Sequence, residues 1–151
     1  MPVTSVEKNP EKLTMEIVAD FPVPVRRLWD AYADPRQLER FWGPPTWPAT
    51  FDRHDLAVGG LSNYYMTGPD GSRAGGYWEF LAVEDGRSFE VIEGFTHDDG
   101  TPNTDMPTMR SVFLFEETGT GSRLRTTTFF NSLEQLEQLT EMGMEDGTKT
   151  A

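Results

Sequence analysis

The histidines are the first candidates for chemistry, because the chain has only two, His54 and His97. In the segment "DRHDL", the alternation of a strand would place Asp52 and His54 on one face and turn Asp55 away. A carboxylate beside an imidazole suits a general base or a pair of metal ligands. A metal site usually takes at least three protein ligands, and this pair lacks a third. We therefore interpret it as the solvated edge of a strand.

A second group of oxygen donors lies in the segment "HDDGTPNTD", which contains His97, Asp98, Asp99 and Asp105. Its spacing does not match the Asp-x-Asp-x-Asp-Gly pattern of calcium loops, so we interpret it as an exposed loop. The chain also lacks the Gly-x-Ser-x-Gly, P-loop, Rossmann and His-Glu-x-x-His motifs. The sequence therefore leans away from an enzyme and predicts no catalytic residue, no cofactor and no metal site.

Charge and composition exclude several classes of function. The chain has 13 Lys and Arg against 25 Asp and Glu, a net charge of −12, which repels phosphate backbones and anionic lipids. It has no cysteine, so disulfides and thiolate metal sites are excluded. Its N-terminus does not match a signal peptide, and no apolar stretch approaches the roughly 20 residues of a membrane span. We expect a soluble, cytoplasmic protein with no nucleic-acid partner and no membrane insertion.

The N-terminal third of the chain changes its periodicity twice. Residues 1–11 are polar and predict a flexible N-terminal arm, and residues 12–151 predict a single domain. Apolar residues at every second position over 13–21 indicate a half-buried first strand. One face of a short helix follows, carried by Val25, Leu28, Trp29 and Tyr32.

A second short helix is predicted to begin at Asp34-Pro35 and to turn Leu38, Phe41 and Trp42 inward before Gly43-Pro44-Pro45 ends it. Residues 50–130 then predict strands separated by tight turns, and Asn131-Ser132 precedes a C-terminal helix. This order predicts an α+β fold with a curved antiparallel sheet of six to seven strands. A helix over one face of such a sheet leaves a hollow wherever the inner side chains are too small to fill it.

The segment "ADFPVPVRRLWDAYADPRQLERFWGP" resembles the opening of the SRPBCC (START-like, helix-grip) superfamily. The resemblance is greatest to the homologues of the activator of heat-shock protein 90 ATPase. The matching positions are Phe21, Pro22, Leu28, Trp29, Asp34-Pro35, Leu38 and Phe41-Trp42-Gly43-Pro44. Two features depart from that pattern: Phe41 replaces the usual first tryptophan, and the C-terminal helix is unusually short. If that short end is native, we expect a homodimer to cover the open groove.

The resemblance implies a hydrophobic cavity between the sheet and the C-terminal helix, but it names no ligand, because this fold hosts many functions. We expect binding or transport of a small hydrophobic or amphipathic molecule. The alternatives are a polyketide cyclase- or hydrolase-like enzyme and a cochaperone-like protein-binding module. An enzyme predicts a buried carboxylate or histidine at the cavity wall, held by a hydrogen-bonded neighbour.

Aromatic and methionine side chains are the candidate walls of that cavity, since both types adapt to irregular apolar ligands. By the register that the resemblance implies, Ser62, Tyr64 and Met66 share the concave face. Alternation separates Trp78 and Phe80 from Tyr77 and Glu79 without showing which pair points inward. The predicted ligand-binding residues are Trp42, Trp47, Tyr64, Met66, Trp78, Phe80, Phe95, Met109, Phe113, Phe115, Phe130 and Met142. Trp42 and Trp47 are expected to flank the mouth.

Overall fold

Eight antiparallel strands form one sheet in the computed structural model, which describes residues 3–40, 42, 46–97 and 99–141. The strands are β1 (Val3–Asn9), β2 (Thr14–Phe21), β3 (Ala49–His54), β4 (Leu61–Thr67), β5 (Arg73–Glu84), β6 (Ser88–Thr96), β7 (Met109–Thr118) and β8 (Gly121–Phe129). The helices of the described residues are α1 (Val25–Ala33), α2 (Pro35–Leu38) and α3 (Leu133–Glu141). The strand order across the sheet is β1-β2-β8-β7-β6-β5-β4-β3. The α+β fold predicted from the sequence is therefore confirmed.

The first strand expected from the alternation is β2. Its inward side chains are buried in the core: Met15, Ile17 and Ala19. On the outer face, two guanidinium nitrogens of Arg123 on β8 donate to the Asp20 carboxylate, at 2.7 and 3.1 Å. The period of two thus turns apolar side chains inward along this strand, although Val18 on the outer face is buried as well.

Residues 3–9 differ from the flexible arm that their polarity indicated. They form β1, an edge strand that pairs with β2 in a register that joins Lys8 to Met15. An edge strand is held by main-chain hydrogen bonds to one neighbouring strand, and its side chains can remain polar. Its sequence therefore shows little of the apolar alternation that identifies a strand. The connecting turn is tight, with the Asn9 side chain accepting from the amides of Glu11 and Lys12. With β1 included, the sheet has eight strands instead of six or seven.

Helix α1 covers one half of the concave face with the residues that its spacing predicted. Leu28, Trp29 and Tyr32 are all buried. The rings of Trp29 and Phe115 meet edge to face with their centroids 5.1 Å apart, a favourable arrangement of two quadrupoles. These contacts belong to the larger of two apolar clusters, which also contains the inward residues of β5 and the central strands.

Helix α2 is only four residues long, and it begins as the sequence predicts. The Asp34 side chain accepts a hydrogen bond from the Arg36 amide at 2.9 Å, Pro35 occupies the first turn, and Leu38 is fully buried. The Trp42 amide donates to the Leu38 carbonyl at 2.9 Å and continues the turn. The predicted inward position of Phe41 and the predicted Gly43-Pro44-Pro45 stop lie outside the described residues.

Side chains of α2 and of Glu39, the residue that follows it, occupy the free edge of β3. The Arg36 guanidinium donates to the carbonyl of Phe51 at 2.9 Å, and the Glu39 carboxylate accepts from the Phe51 amide at 2.8 Å. Arg36 and Glu39 also form an ion pair at 3.1 Å. Main-chain groups that an edge strand leaves open are thereby satisfied within the chain, which protects this edge from pairing with another strand.

Helix α3 packs on the other half of the concave face through Leu136 and Gln135. The Ser132 hydroxyl accepts from the Gln135 amide at 3.1 Å, while the Gln135 side chain accepts from the Asn131 amide and donates to the Thr108 carbonyl at 2.8 Å. Leu136 packs into the second apolar cluster, whose other buried members are Met15, Ile17, Met109 and Phe130. Met142 and the length of the helix beyond Glu141 lie outside the described residues. Within the described part, no helix is long and apolar enough to cross a membrane.

The contact between α2 and β3 predicts a measurable loss of stability. Glu39→Ala leaves the amide of the buried residue Phe51 without an acceptor, so we expect the free energy of unfolding to fall by about 1–3 kcal/mol in urea titrations. Glu39→Gln keeps an acceptor oxygen and should lose much less. Glu79→Ala, at an exposed position of β5, is the matched control. Equal stability of the two Glu39 variants would contradict this role of the carboxylate.

Candidate functional site

Three polar side chains lie across neighbouring strands on the concave face: Glu93 on β6, Ser111 on β7 and Thr128 on β8. The Ser111 hydroxyl donates to Oε2 of Glu93 at 2.5 Å and lies 3.0 Å from the Thr128 hydroxyl. Ser111 and Thr128 are buried, whereas Glu93 is half-buried. We call these three residues the polar seam.

The register of the central strands places the polar seam between the two apolar clusters. Ser111 pairs with Thr128 of β8 on one side and with Val91 of β6 on the other. Glu93 is the next inward residue of β6 after Val91. On β6 and β7, the inward residue on one side of the seam belongs to the apolar cluster under α1 (the α1 cluster) and the residue on the other side to the cluster under α3 (the α3 cluster). These residues are Val91 and Phe95 on β6, and Phe113 and Met109 on β7. On β8, Phe130 of the α3 cluster follows Thr128, and Thr126 separates Thr128 from Leu124 of the α1 cluster.

Tyr64 on β4 reaches toward the seam across a glycine. Tyr64 pairs with Gly76 of β5, and a Cβ atom at Gly76 would lie only 2.4 Å from the Tyr64 hydroxyl. The absence of a side chain therefore lets the phenol lie flat over β5. Gly76 pairs in turn with Phe95 of β6, two residues from Glu93, so the hydroxyl extends toward the carboxyl.

Burial dominates the electrostatics of the site. It raises the pKa of Glu93 above its usual range, against the opposing effects of the hydrogen bond from Ser111 and of the Trp78 indole. Burial also raises the pKa of the Tyr64 hydroxyl, and the nearby Glu93 charge raises it further. Both groups are thus favoured in their neutral, protonated forms, in which each can donate a hydrogen bond.

Two indole rings pack beside this pair. The ring centroids of Trp42 and Trp78 are 4.9 Å apart at an interplanar angle of 87°, and the Trp42 centroid is 6.0 Å from that of Tyr64. The indole nitrogens of both tryptophans are closed off from solvent and form no hydrogen bond of ordinary geometry. They lie close enough to lower the pKa of Tyr64 and Glu93 respectively, so the surroundings of the carboxyl are rich in donors.

The structure places the predicted cavity residues in three environments. Fully buried in the α1 cluster are Trp78, Phe80, Phe113 and Phe115. Buried in the α3 cluster are Met109 and Phe130. Half-buried are Trp42, Trp47, Tyr64, Met66 and Phe95. Trp78 and Phe80 are therefore the inward pair of β5, and the half-buried residues are those with surface left for a ligand. Met142 lies outside the described residues.

Trp47 lies apart from the polar seam. Its ring covers Gly68 in the turn between β4 and β5, where an added Cβ atom would come within 2.7 Å of the ring. Trp42, by contrast, packs on Tyr64 and Trp78. Of the two tryptophans expected at the mouth of a cavity, only Trp42 contacts the residues around Glu93 within the described part of the chain.

Sequence reasoning missed Glu93 as a candidate, although a signal was present. Within β6, Phe89, Val91 and Phe95 are inward apolar residues, and Glu93 is the third of the four inward positions. A carboxylate in the apolar phase of an alternating strand is rare, because burying it costs free energy unless it is paired. The partner that holds it, Ser111, comes from a different strand and could not be identified from spacing.

His54 occupies a more buried position than the solvated strand edge that we predicted. A bulge between Phe51 and Arg53 shifts the alternation of β3, so that His54 points inward while Asp52 is exposed. Its Nδ1 lies 2.7 Å from the Ser62 hydroxyl and its Nε2 2.7 Å from the Tyr32 carbonyl. Since a carbonyl only accepts, Nε2 carries the proton and Nδ1 accepts from Ser62. His54 is a hydrogen-bonded core histidine, and burial lowers its pKa.

The loop after β6 shows the local hydrogen bonds of a tight turn. Asp99 accepts from the Thr101 amide and hydroxyl, at 3.0 and 2.6 Å, and the main chains of His97 and Thr101 pair at 2.8 Å. Asp98 lies outside the described residues. Within the described part of the chain, no three His, Asp or Glu side chains come together in a way that could hold a metal ion.

A curved antiparallel sheet whose concave face is covered by α1 and α3 defines a helix-grip domain. Over residues 22–151 the sequence matches the family described as "Activator of Hsp90 ATPase homolog 1-like protein", and the chain belongs to that family. This confirms the resemblance found in the sequence. No match was found among the curated proteins.

Solved structures support the assignment. The chain is 46% identical to protein Ms6760 from Mycobacterium smegmatis, with a TM-score of 0.92 over 99% of this chain and 91% of that one. It is 43% identical to a protein from Arthrobacter aurescens, with a TM-score of 0.92 over 98% and 86%. The AHSA1 protein from Silicibacter pomeroyi is 21% identical, with a TM-score of 0.70 over 91% and 90%, and shares the fold.

The raised pKa of Glu93 predicts a pH dependence of stability. Above the ordinary glutamate pKa of about 4.3, the unfolded chain loses this proton while the folded chain keeps it. The contribution of Glu93 is therefore greatest at low pH and is lost as the pH rises through its folded pKa. We expect Glu93→Gln to remove this loss, which amounts to at most about 1.4 kcal/mol per pH unit.

Urea unfolding of the wild type and of Glu93→Gln between pH 4.5 and 8 measures this difference. Glu79→Gln, on the exposed face of β5, is the matched control and should follow the wild type. Parallel stability curves for the wild type and Glu93→Gln over this range would show that the carboxyl titrates normally.

The lowered pKa of His54 predicts the opposite slope. Below the ordinary histidine pKa of about 6.5, the unfolded chain takes up a proton that the folded chain resists. Stability from His54 is present above pH 6.5 and is lost as the pH falls through this value toward the folded pKa. His54→Gln should flatten the stability curve between pH 5 and 7, whereas His97→Gln, at an exposed position, should not. Identical slopes for the two variants would contradict a buried neutral imidazole.

Proposed function

We propose that the protein binds a small hydrophobic or amphipathic molecule on the concave face of its sheet, beside the polar seam. One observation carries this proposal. Glu93 and Tyr64 lie deep among aromatic side chains, and yet both are only half-buried. Both side chains lie in the inward phase of their strands, so a ligand would reach them from the concave side.

The surroundings of these two groups suit an apolar ligand. Met66 and Phe95 are half-buried on the same face, and Trp42 contacts Tyr64 edge to face. Aromatic and thioether walls with a few polar groups are typical of sites for small organic molecules. The family assignment is consistent with such a domain, since helix-grip sheets are suited to enclosing an apolar space.

A second candidate, an enzyme of the cyclase or hydrolase type, is favoured by the polar seam itself. Glu93 is a buried carboxyl held by the Ser111 hydroxyl, which is the arrangement that the sequence analysis expected of an acid–base catalyst. Burial favours the protonated form of Glu93 and hence the role of an acid. The binding function includes this possibility, because any substrate would occupy the same place.

The cochaperone-like alternative rests on the family name alone. Such a module would present an apolar docking patch on its surface. The exposed large apolar residues of the described part are Val58, Leu81 and Leu133, which lie on a loop, on β5 and at the start of α3. We therefore favour a small-molecule ligand over a protein partner.

Uptake of the neutral dye Nile red tests the binding function. We expect the wild type to bind the dye and Trp42→Ala to bind it about tenfold more weakly, because the substitution removes an aromatic contact beside Tyr64. Tyr77→Ala is the matched control, since Tyr77 packs over Gly94 on the opposite face of the sheet. Fluorescence titration gives the affinities, and urea unfolding shows whether each variant is folded.

Failure of the wild type to bind the dye, or equal affinities in the two folded variants, would overturn this location. Native mass spectrometry of freshly purified protein then asks independently whether an organic molecule accompanies the chain. The same spectra test the proposed homodimer, for which a strictly monomeric mass is the contrary result.

A further inference from the structure

We propose that the ligand carries an uncharged oxygen acceptor, such as a ketone, and that Glu93 and Tyr64 both donate hydrogen bonds to it. This inference rests on the proposed binding function and adds the chemical class of the ligand. It depends on three features of the concave face: the direction of hydrogen bonding in the polar seam, the lack of a cation beside Glu93, and the path of Tyr64 over Gly76.

The polar seam determines which carboxyl oxygen of Glu93 is free. Ser111 has one hydroxyl proton and donates it to Oε2, so the Thr128 hydroxyl must be the donor in its contact with Ser111. With Ser111 as the donor, Oε2 is an acceptor and the proton of the neutral carboxyl lies on Oε1. No hydrogen bond of ordinary geometry to Oε1 is found among the described residues, although the Trp78 indole lies close to the carboxyl. The free O–H can donate to a ligand.

No described cation compensates a charge on Glu93. The arginines of β7 and β8 lie on the outer face of the sheet and form ion pairs there. Arg110 pairs with Glu90, Arg123 with Asp20, and Arg125 with Glu16 and Glu116. A buried carboxylate without a cationic partner is costly, so the group avoids the cost by staying protonated. A protonated carboxylic acid in an apolar site is a strong donor to a carbonyl oxygen.

Tyr64 supplies the second donor. Its hydroxyl passes over Gly76 toward β6, and Gly76 pairs with Phe95, which is two residues from Glu93, so the phenol and the carboxyl occupy nearby positions on the concave face. Two converging O–H donors match the two lone pairs of one carbonyl oxygen. Met66 and Phe95 are then available for the apolar body of the same ligand.

Charged ligands fit these groups less well. A carboxylate would bring a second negative group to Glu93 with no described cation to compensate it. An amine would need Glu93 to be ionised. A hydrocarbon would leave both donors desolvated and unpaired, which costs more than an exposed donor would. A neutral acceptor is the one class that satisfies both donors without adding a charge.

Four naphthalenes of similar shape test this choice: 2-acetylnaphthalene, 2-isopropylnaphthalene, 2-naphthoate and 2-(1-aminoethyl)naphthalene. We expect the ketone to bind to the wild type about tenfold more tightly than the hydrocarbon, as one or two net hydrogen bonds allow, and the two ions to bind more weakly than either. Calorimetry at pH 7 measures the four affinities.

Substitutions assign the donors. Tyr64→Phe and Glu93→Leu should each lower the affinity for the ketone by about fivefold and change the affinity for the hydrocarbon by less than about twofold. Glu93→Gln should keep the ketone affinity, because Ser111 can donate to the amide oxygen and the amide N–H takes the place of the Oε1–H. Glu79→Gln is the control on the exposed face. Unfolding curves show which variants are folded, and Tyr64→Phe keeps the test decisive if Glu93→Leu does not fold.

The carbonyl stretch of the bound ketone gives a readout that affinity alone does not. Hydrogen bonds to the oxygen lower its infrared frequency, so we expect a lower frequency in the wild type and in Glu93→Gln than in Tyr64→Phe. Equal affinity for ketone and hydrocarbon, or preference for the carboxylate, would overturn this inference and leave the binding function intact. Preference for the amine would show an ionised Glu93 and would also overturn it. Failure of all four to bind would count against the binding function itself.

Discussion

A carboxyl group inside an apolar concave face is the constraint on which the rest of this site depends. Glu93 interrupts the inward apolar residues of β6 at the line where the cluster under α1 ends and the cluster under α3 begins. Its burial is tolerable because Ser111 and Thr128 occupy the same line on the next two strands and supply hydrogen bonds. Neighbouring helices can therefore pack on either side without having to cover the polar seam with apolar surface.

Small residues decide what reaches the polar seam. Gly76 allows the Tyr64 ring to cross β5, and the same device recurs on the opposite face, where Gly94 lies under Tyr77. In each case an aromatic ring from one strand lies over a glycine of its neighbour, which is a known way to pair the two residue types in sheets. On the concave face the outcome is a phenol beside a carboxyl. The combination of two protonated donors in an apolar setting suits recognition of a neutral ligand more than that of an ion.

The same sheet shows how a helix of one turn can be structurally important. Helix α2 is too short to be stable alone, yet its Arg36 and the C-cap residue Glu39 satisfy both main-chain groups of Phe51 at the edge of β3. Phe51 in turn stacks on Tyr64 at a centroid distance of 5.0 Å. The edge contact and the site are thus linked through one buried aromatic residue, which joins the integrity of the sheet edge to the position of the phenol.

Much of the fold follows from local pattern. The alternation over 13–21, the i, i+3, i+4, i+7 spacing of α1, and the Asp34-Pro35 helix start all appear in the structure as the sequence predicts. These are properties of consecutive residues, and the relevant forces act within a turn or a strand. The strand β1 was missed because main-chain pairing at an edge leaves little trace in side-chain composition. The inward position of His54 was missed because a bulge in β3 reverses the alternation, and a bulge has no side-chain period.

For the site, the sequence alone determined which residue types could line an apolar space and which residues of each strand share a face. It also contained Glu93 as the one charged residue among the inward apolar residues of its strand. Only the tertiary structure decided that Glu93, Ser111 and Thr128 adjoin, because they come from three strands whose register depends on long-range pairing. It also decided which predicted aromatic residues are plain core, such as Trp78, and which keep accessible surface, such as Tyr64. Burial is a property of the whole packed chain, and so is the protonation state that burial imposes on Glu93.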